Sequence, residues 1–464
     1  MYLCTRNNYS KCVNYHIIWT YCVIMAYFER NRLLQLQAWK QRDGRKPMLL
    51  GGARQVGKTW LMKEFGRTCF AHTAYINFDE QNYADIFATK NPQYIVQQLS
   101  LVVGFPIQPA DTLLIFDEIQ ECTEALNALK YFCEQMPEQA IMAAGSLLGV
   151  SMAQGKSFPV GKVEHLTLYP LTFREYLHTA DAPMCEYLDT LPLDSHISEV
   201  LEQRVCQHFN MYRISGGMPA AAAVMAEKQD IGVVDSILDD ILTDYRLDFS
   251  KHSTSALIPR IGHIYNSIPS QLAKENRKFI YQLVRPGARA REYEDALLWL
   301  QQAGLIYRVH RNKTPQLPLS AYDDLGVFKV YLSDIGLLRR LAKMPASAIL
   351  SDSDVLGFKE FKGALAENYV LQSLSHQTDV PLRYWTSDYA AEVDFIIQYD
   401  THIIPIEVKA GKNIGGRSLT LYNDTYHPVL RLRYSSRDLH KDGNLLNIPL
   451  FMTDWTHNLL TKMI

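Results

Sequence analysis

Gly52-Ala53-Arg54-Gln55-Val56-Gly57-Lys58-Thr59 decides how the chain is read. The octapeptide fits G-x-x-x-x-G-K-[ST], in which glycines let backbone N–H groups turn inward around phosphates. At that spacing Lys58 reaches the β- and γ-phosphates and Thr59 offers its hydroxyl to Mg²⁺. The helix that follows aims its positive end at the anion. ATP and Mg²⁺ are therefore the expected cofactors, and Gly52 through Trp60 the expected nucleotide-binding segment.

The flanks agree. Lys46-Pro47-Met48-Leu49-Leu50 reads as a short buried strand running into the loop, and Thr59 to Phe65 as a helix start with Leu61, Met62 and Phe65 on one side. Farther on, Leu113-Leu114-Ile115-Phe116-Asp117-Glu118 is an apolar strand ending in two acids. A strand of this kind buries itself in a parallel sheet and delivers Asp117 beside the Mg²⁺ shell. Glu118 then orients or deprotonates the attacking water. A plain core strand capped by two solvated carboxylates is the competing reading.

The bulk numbers set limits. A chain of 464 residues has room for several domains, and 47% hydrophobic with 21% charged residues is ordinary for globular protein. A formal net charge of −2 excludes a wholesale nucleic-acid coat and leaves room for local basic patches. Eight cysteines without CxxC or metal-ligand spacing read as reduced thiols in a cytoplasmic protein. Residues 1–24, rich in Tyr, Cys and Asn, form an atypical extension. Its apolar run, Ile17 to Tyr27, is too short to span a bilayer, and Met25 is the favoured start. No membrane association is expected.

From about 25 to 190 strand and helix patterns alternate: strand Ala74–Phe78, helix Tyr94–Val103, the acid-tipped strand, helix Glu124–Glu134, and strand Gln139–Ser146. Alternation implies a doubly wound parallel sheet with nucleotide at the carboxyl ends of its strands. Ser146 is a candidate to touch the γ-phosphate or the water; capping the next helix explains it equally well. Residues 191–255 turn helical, interrupted by Ser215-Gly216-Gly217-Met218-Pro219. Over 256–345, helices 258–268, 278–283 and 292–303 precede strands 304–309 and 328–332, an order that resembles a winged helix. Lys274, Arg277, Lys278, Arg285, Arg289, Arg291, Arg308, Arg311 and Lys313 gather there. They suit DNA phosphates or simply a solvated face.

Residues 346–464 carry a second constellation. Glu367 lies in an expected helix 363–374, Asp394 in the strand 391–397, and Glu407 and Lys409 in the strand 403–409. Side chains alternate along a strand, so Glu407 and Lys409 share a face. Asp394 followed by Glu407-x-Lys409 is the core of the PD-(D/E)XK nuclease fold. Asp394, Glu407 and Glu367 are the expected Mg²⁺ ligands there, with Lys409 steadying the nucleophilic water. A degenerate nuclease fold used as a binding module would keep the same pattern.

The segments Gly51–Thr59, Ile115–Gln120 and Tyr169-Pro170-Leu171-Thr172-Phe173-Arg174-Glu175-Tyr176 resemble bacterial and archaeal AAA-type ATPases of the AAA_14/DUF4143 group. Ala366-Glu367-Asn368-Tyr369-Val370, Glu392–Phe395 and Ile406–Gly411 resemble its second domain, the DUF4143 region expected over roughly 240–410. The resemblance implies an ATP-binding AAA+ core, a winged-helix-like middle and a restriction-endonuclease-like end. Gly216-Gly217-Met218-Pro219 is similar to the G-x-P element that packs a proline on adenine in STAND-type NTPases; a tight turn between helices is the alternative. Where family members carry Gly-Arg, this chain has Gly161-Lys162, which leaves Arg174 as the next arginine-finger candidate. The expected function is an Mg²⁺-dependent ATPase or slow ATP-gated switch, coupled to a nuclease-like domain that binds or cleaves DNA. The alternative is an ATP sensor that recruits a protein partner.

Overall fold

The computed structural model describes residues 27–145, 159–251, 253–274, 277–351, 357–378, 380–388, 391–411 and 415–464. Ser146 and the extension 1–24 lie outside them. Helix α1 (Arg32–Gln41) precedes β1 (Met48–Gly51), the phosphate loop and α2 (Lys58–Cys69). Then come β2 (His72–Asn77), α3 (Pro92–Val103), β3 (Thr112–Asp117), α4 (Thr123–Gln135), β4 (Ile141–Ala144) and β5 (Glu164–Thr167). Helix α3 starts where the sequence supplies a start. Asn91 accepts hydrogen bonds from the backbone N–H of Gln93 and Tyr94, and Pro92 fills the first helical position.

The five strands form one parallel sheet in the order β2-β3-β4-β1-β5. Alternation along the strands decides which face each side chain joins. Leu50, Leu113, Ile115 and Met142 enter the large core that continues into the rest of the molecule. Leu49, Leu114, Phe116, Ile141 and Ala143 enter a smaller core closed by α3 and α4. Burial on both faces is what makes these strands near-continuous apolar runs. One strand, β4, separates the loop-bearing β1 from the acid-tipped β3.

Helices α5 (Phe173–Ala180), α6 (Glu199–Ser215), α7 (Pro219–Lys228) and α8 (Ile231–Lys251) pack over the loop side of this sheet. Thr172 and Glu175 form a reciprocal cap at the start of α5, which accounts for the Pro-Leu-Thr-Phe-Arg-Glu run. Helices α9 (Ile258–Leu272) and α10 (Ala290–Gln302) lead to β6 (Ile306–Asn312), β7 (Asp323–Leu332) and α11 (Ile335–Leu341). The expected helix 278–283 is reduced to Tyr281–Val284. The Phe279 N–H instead donates to the Phe328 carbonyl, drawing this stretch onto β7.

Strands β6 and β7 are the expected antiparallel hairpin, and they are also the end of a larger sheet. Helix α12 (Lys359–Ser375) is followed by β8 (Arg383–Thr386), β9 (Glu392–Tyr399), β10 (His402–Val408), α13 (Arg417–Tyr426), β11 (Arg431–Ser435), β12 (His440–Asp442) and β13 (Leu445–Pro449). All eight strands join in the order β12-β13-β11-β10-β9-β8-β6-β7. The link is the parallel pairing of His310, Arg311 and Asn312 with Arg383, Tyr384 and Trp385. The hairpin expected as a wing is thus continuous with the sheet that carries Asp394 and Glu407.

Candidate functional site

The phosphate loop joins β1 to α2 through Gly57, whose φ of 95° lies in the left-handed region. Lys58 is buried, and its Nζ donates to the carbonyls of Gly52 and Ala53 at 2.9 Å each. Burial lowers its pKa to about 8, against the opposing pull of Glu118 and Asp117. Thr59 and Asp117 meet as the sequence requires, the hydroxyl donating to Oδ2 at 2.6 Å. Tyr75 on β2 donates its hydroxyl to the same oxygen at 2.9 Å. Parallel register explains the third partner: Asn77 lies opposite Asp117, and Tyr75 is two residues back on the same face. The Asp117 Oδ1 accepts the N–H of Glu118 at 3.1 Å.

These groups fit a magnesium nucleotide. Mg²⁺ takes hard oxygen ligands and is commonly held by one or two protein groups together with substrate phosphates. The Thr59 hydroxyl and Asp117 carboxylate supply such a pair, and Lys58 supplies the cation for the anion. Glu118 follows at φ 52°, a left-handed conformation that ends β3 abruptly beside the Asp117 carboxylate.

Other elements hold the loop from outside. Arg54 pairs with Asp248 at 2.8 Å, and Gln55 donates to Asp244 at 2.7 Å, both on α8. Tyr245, between them on the helix, donates to the Arg54 carbonyl at 2.9 Å. Arg30 is buried and donates to the carbonyls of Val56 at 3.2 Å and Tyr169 at 2.6 Å, with Glu175 3.4 Å from its Nε. Pro219 opens α7 beside the loop: a methyl on Gly57 would lie 3.6 Å from its Cγ. Sequence reasoning named Pro219 and missed Arg30, Tyr75, Tyr245 and Asp248. Only for Tyr75 did a signal exist, the strand alternation opposite Asp117.

The Gly216-Gly217 turn is a junction. The Gly217 carbonyl accepts the Leu171 N–H at 2.7 Å, and its own N–H donates to Asp334 at 2.6 Å. A Cβ on Gly217 would lie 2.1 Å from the Leu171 carbonyl oxygen, so the close approach requires glycine. Asp334 also caps α11 through the Leu337 N–H at 3.0 Å. Burial raises its pKa to about 6 despite these donors. On α12, Gln372 accepts the Ile335 N–H at 3.0 Å, and Asn368 bonds both backbone groups of Leu332 at 2.9 Å. The Ala-Glu-Asn segment is thereby explained as a ladder onto β7 and α11.

Arg174 is engaged by groups other than the phosphate loop. Its guanidinium is paired with Asp189 at 2.8 Å, and its N–H donates to Asp454 at 2.9 Å. Lys162 pairs with Glu134 at 2.9 Å.

Glu367 on α12 comes within electrostatic reach of Asp394, Glu407 and Lys409 at the C-terminal sheet. Burial, followed by Asp394, pushes both Glu367 and Glu407 upward. Among the described residues no three His, Cys, Asp or Glu side chains form a group that could hold a metal ion. Each carboxylate has one partner from the chain, while the Glu407 Oε2 is buried with no hydrogen-bond partner among the described residues. Glu367 is ion-paired with Arg277 and accepts the Tyr331 hydroxyl at 3.2 Å. Glu407 is ion-paired with Lys409, and Asp394 accepts the Val408 N–H at 2.7 Å. Arg277, expected among the phosphate contacts, is therefore an internal counter-cation. Arg308 and Arg311 are likewise paired, with Glu294 and Asp324 at 2.5 Å.

Comparison with known proteins places the chain. Residues 44–177 match the AAA domain family AAA_14, and residues 362–451 match DUF4143, a domain of unknown function. The chain thus carries an AAA_14 segment followed by a DUF4143 segment, the pair that its sequence resembles. Between the two matches, residues 206–348 match another domain of unknown function, DUF8612, so the DUF4143 match begins later than the 240–410 expected. No curated protein matches in sequence. Among solved structures, the Walker-type ATPase paby2304 of Pyrococcus abyssi is 14% identical, with a TM-score of 0.43 over 68% of this chain and 96% of that one. The Aeropyrum pernix ORC1 protein, solved in complex with DNA, is 12% identical, with a TM-score of 0.27 over 70% and 95%. The Thermotoga maritima RuvB Holliday junction branch migration motor is 15% identical, with a TM-score of 0.29 over 62% and 90%. Among the described residues no helix is long and apolar enough to cross a membrane.

Proposed function

We propose that this AAA_14/DUF4143 protein is an Mg²⁺-dependent ATPase whose nucleotide state sets how the helical middle region and the C-terminal sheet sit on the P-loop sheet. The observation that carries the reading is the convergence of Thr59 and Tyr75 on Asp117, beside a buried Lys58 and the left-handed Glu118. Lys58 binds the phosphates, and Thr59 with Asp117 would hold Mg²⁺, which neutralises charge on the phosphates when bound. Glu118 takes a proton from water as the water oxygen bonds to the γ-phosphorus and the bond to the bridging oxygen breaks. ADP and phosphate leave.

The C-terminal sheet acts in this reading as a binding module, with Glu367 engaged by Arg277 and Glu407 by Lys409. DNA is the partner the chain's chemistry favours. Lys274, Arg285, Arg289 and Arg291 remain exposed around α9 and α10 and suit phosphate contacts.

Equilibrium binding of ATP with and without Mg²⁺ tests the core of the proposal. Tight binding that needs Mg²⁺ and is lost in Lys58→Ala and weakened in Asp117→Asn is expected. Equal binding by all three proteins would overturn it.

A further inference from the structure

We propose that Gln120 is a positioning residue for Glu118, holding its carboxylate as the acceptor of the water proton; the proposal rests on the ATPase reading above. The chain leaves β3 abruptly. Glu118 takes φ 52° and ψ 41°, and Ile119–Glu121 form a single 3₁₀ turn. That turn brings Gln120 back over Glu118, and the Gln120 Nε2 donates to the Glu118 Oε2 at 2.5 Å. Gln120 is only 8% exposed, so water does not compete freely for this bond.

The amide can sit only one way round. If it turned over, its oxygen would face the carboxylate and two acceptors would meet. In the orientation present, the Gln120 Oε1 is buried and has no hydrogen-bond partner among the described residues. A glutamine that served packing alone would be replaceable by an apolar side chain of the same volume, which leaves no orphaned acceptor. A left-handed Glu118 and an orphaned Gln120 oxygen two residues apart are two departures from comfortable structure at one place. Strained residues cluster at active sites and switch regions, and Glu118 follows the acid-tipped strand directly. The use here is geometric. With Oε2 tied to Gln120, the carboxylate cannot swing about its stem, and its other oxygen is left to accept from water.

Steady-state turnover and ATP affinity of the wild type, Gln120→Met, Glu118→Gln and the double variant test this. Methionine keeps the length and much of the volume and removes the donor. Gln120→Met is expected to lower kcat tenfold or more with KM and Kd for ATP unchanged. In the Glu118→Gln background the same change should alter kcat less than twofold, because its effect passes through Glu118. Gln120→Glu, of the same shape with the donor replaced by an acceptor, should be impaired at least as much, and it carries the test if the methionine variant does not fold. A Gln120→Met kcat within twofold of wild type, an equal loss in both backgrounds, or parallel loss of ATP affinity overturns the proposal. Wild-type turnover lowered about 100-fold by Glu118→Gln, with a residual rate still measurable, supports the ATPase reading separately. Absence of wild-type turnover overturns both.

Discussion

Pro219 stands against the phosphate loop, its Cγ 3.6 Å from where a methyl on Gly57 would be. Two residues earlier, the Gly217 N–H is fixed to Asp334, the cap of α11. One short turn thus touches both the nucleotide loop and the element that α12 grips through Gln372. A continuous chain of contacts runs from the loop through this turn to α12. Amide hydrogen exchange should report it: ATP should slow exchange in residues 215–222 and 334–338 of the wild type and leave Lys58→Ala unchanged. Protection confined to the loop would show that the turn is a bystander.

The Arg277–Glu367 pair makes a stability prediction. Both side chains are largely buried, and removing one partner leaves the other uncompensated. Arg277→Gln or Glu367→Gln alone should cost about 3–5 kcal/mol, and the double variant clearly less than the sum. Urea unfolding of the four proteins measures the coupling. Additive losses would mean that the two side chains do not depend on each other.

His376 makes the junction with the P-loop sheet acid-sensitive. Its ring stacks on Tyr169 with centroids 4.6 Å apart. Burial lowers its pKa to about 3, with Arg32 and Arg30 adding to the effect. The unfolded chain takes up a proton near pH 6.5, so the folded state binds fewer protons below that. The contribution of this site is present above pH 6.5 and is lost as pH falls toward 3. His376→Phe keeps the stack and removes the titration, so its urea midpoint should fall less than that of wild type between pH 7 and 5. Parallel declines would remove His376 from the account.

Lys58 gives ATP binding a basic limb. Its pKa of about 8 in the free protein means that it loses its charge above that pH, whereas phosphate binding favours the charged form. Affinity should therefore fall above pH 8, by up to about tenfold per pH unit, with uptake of a proton on binding. Calorimetry in buffers of different ionisation enthalpy at pH 9 measures that proton. Lys58→Arg should bind without it; the same uptake in both proteins would assign the proton elsewhere.

Much of this was legible in the chain. Apolar runs bounded by glycine and acids gave β1 and β3, and the loop pattern brought Lys58, Thr59 and Asp117 together as expected. Asn91-Pro92 marked the start of α3 through its own capping chemistry. What stayed hidden depends on contacts between distant segments. Nothing local in Arg277 distinguishes a phosphate contact from a buried partner of Glu367, 90 residues away. Nor does a hairpin pattern reveal that β6 will pair with β8, because the partners Arg383, Tyr384 and Trp385 come from a distant part of the chain. Arg30 was obscured for the same reason: its partners Val56, Tyr169 and Glu175 come from separate parts of the chain.

The most direct test of the central claim is turnover of Mg²⁺-ATP by the wild type beside Glu118→Gln and Lys58→Ala. Measurable phosphate release by the wild type is expected, with at least about 100-fold less from Glu118→Gln, which still binds ATP, since a positioned base contributes about that much or more. Lys58→Ala should neither bind nor turn over. Undiminished phosphate release from Glu118→Gln, or none from a wild type that binds ATP tightly, would contradict that claim.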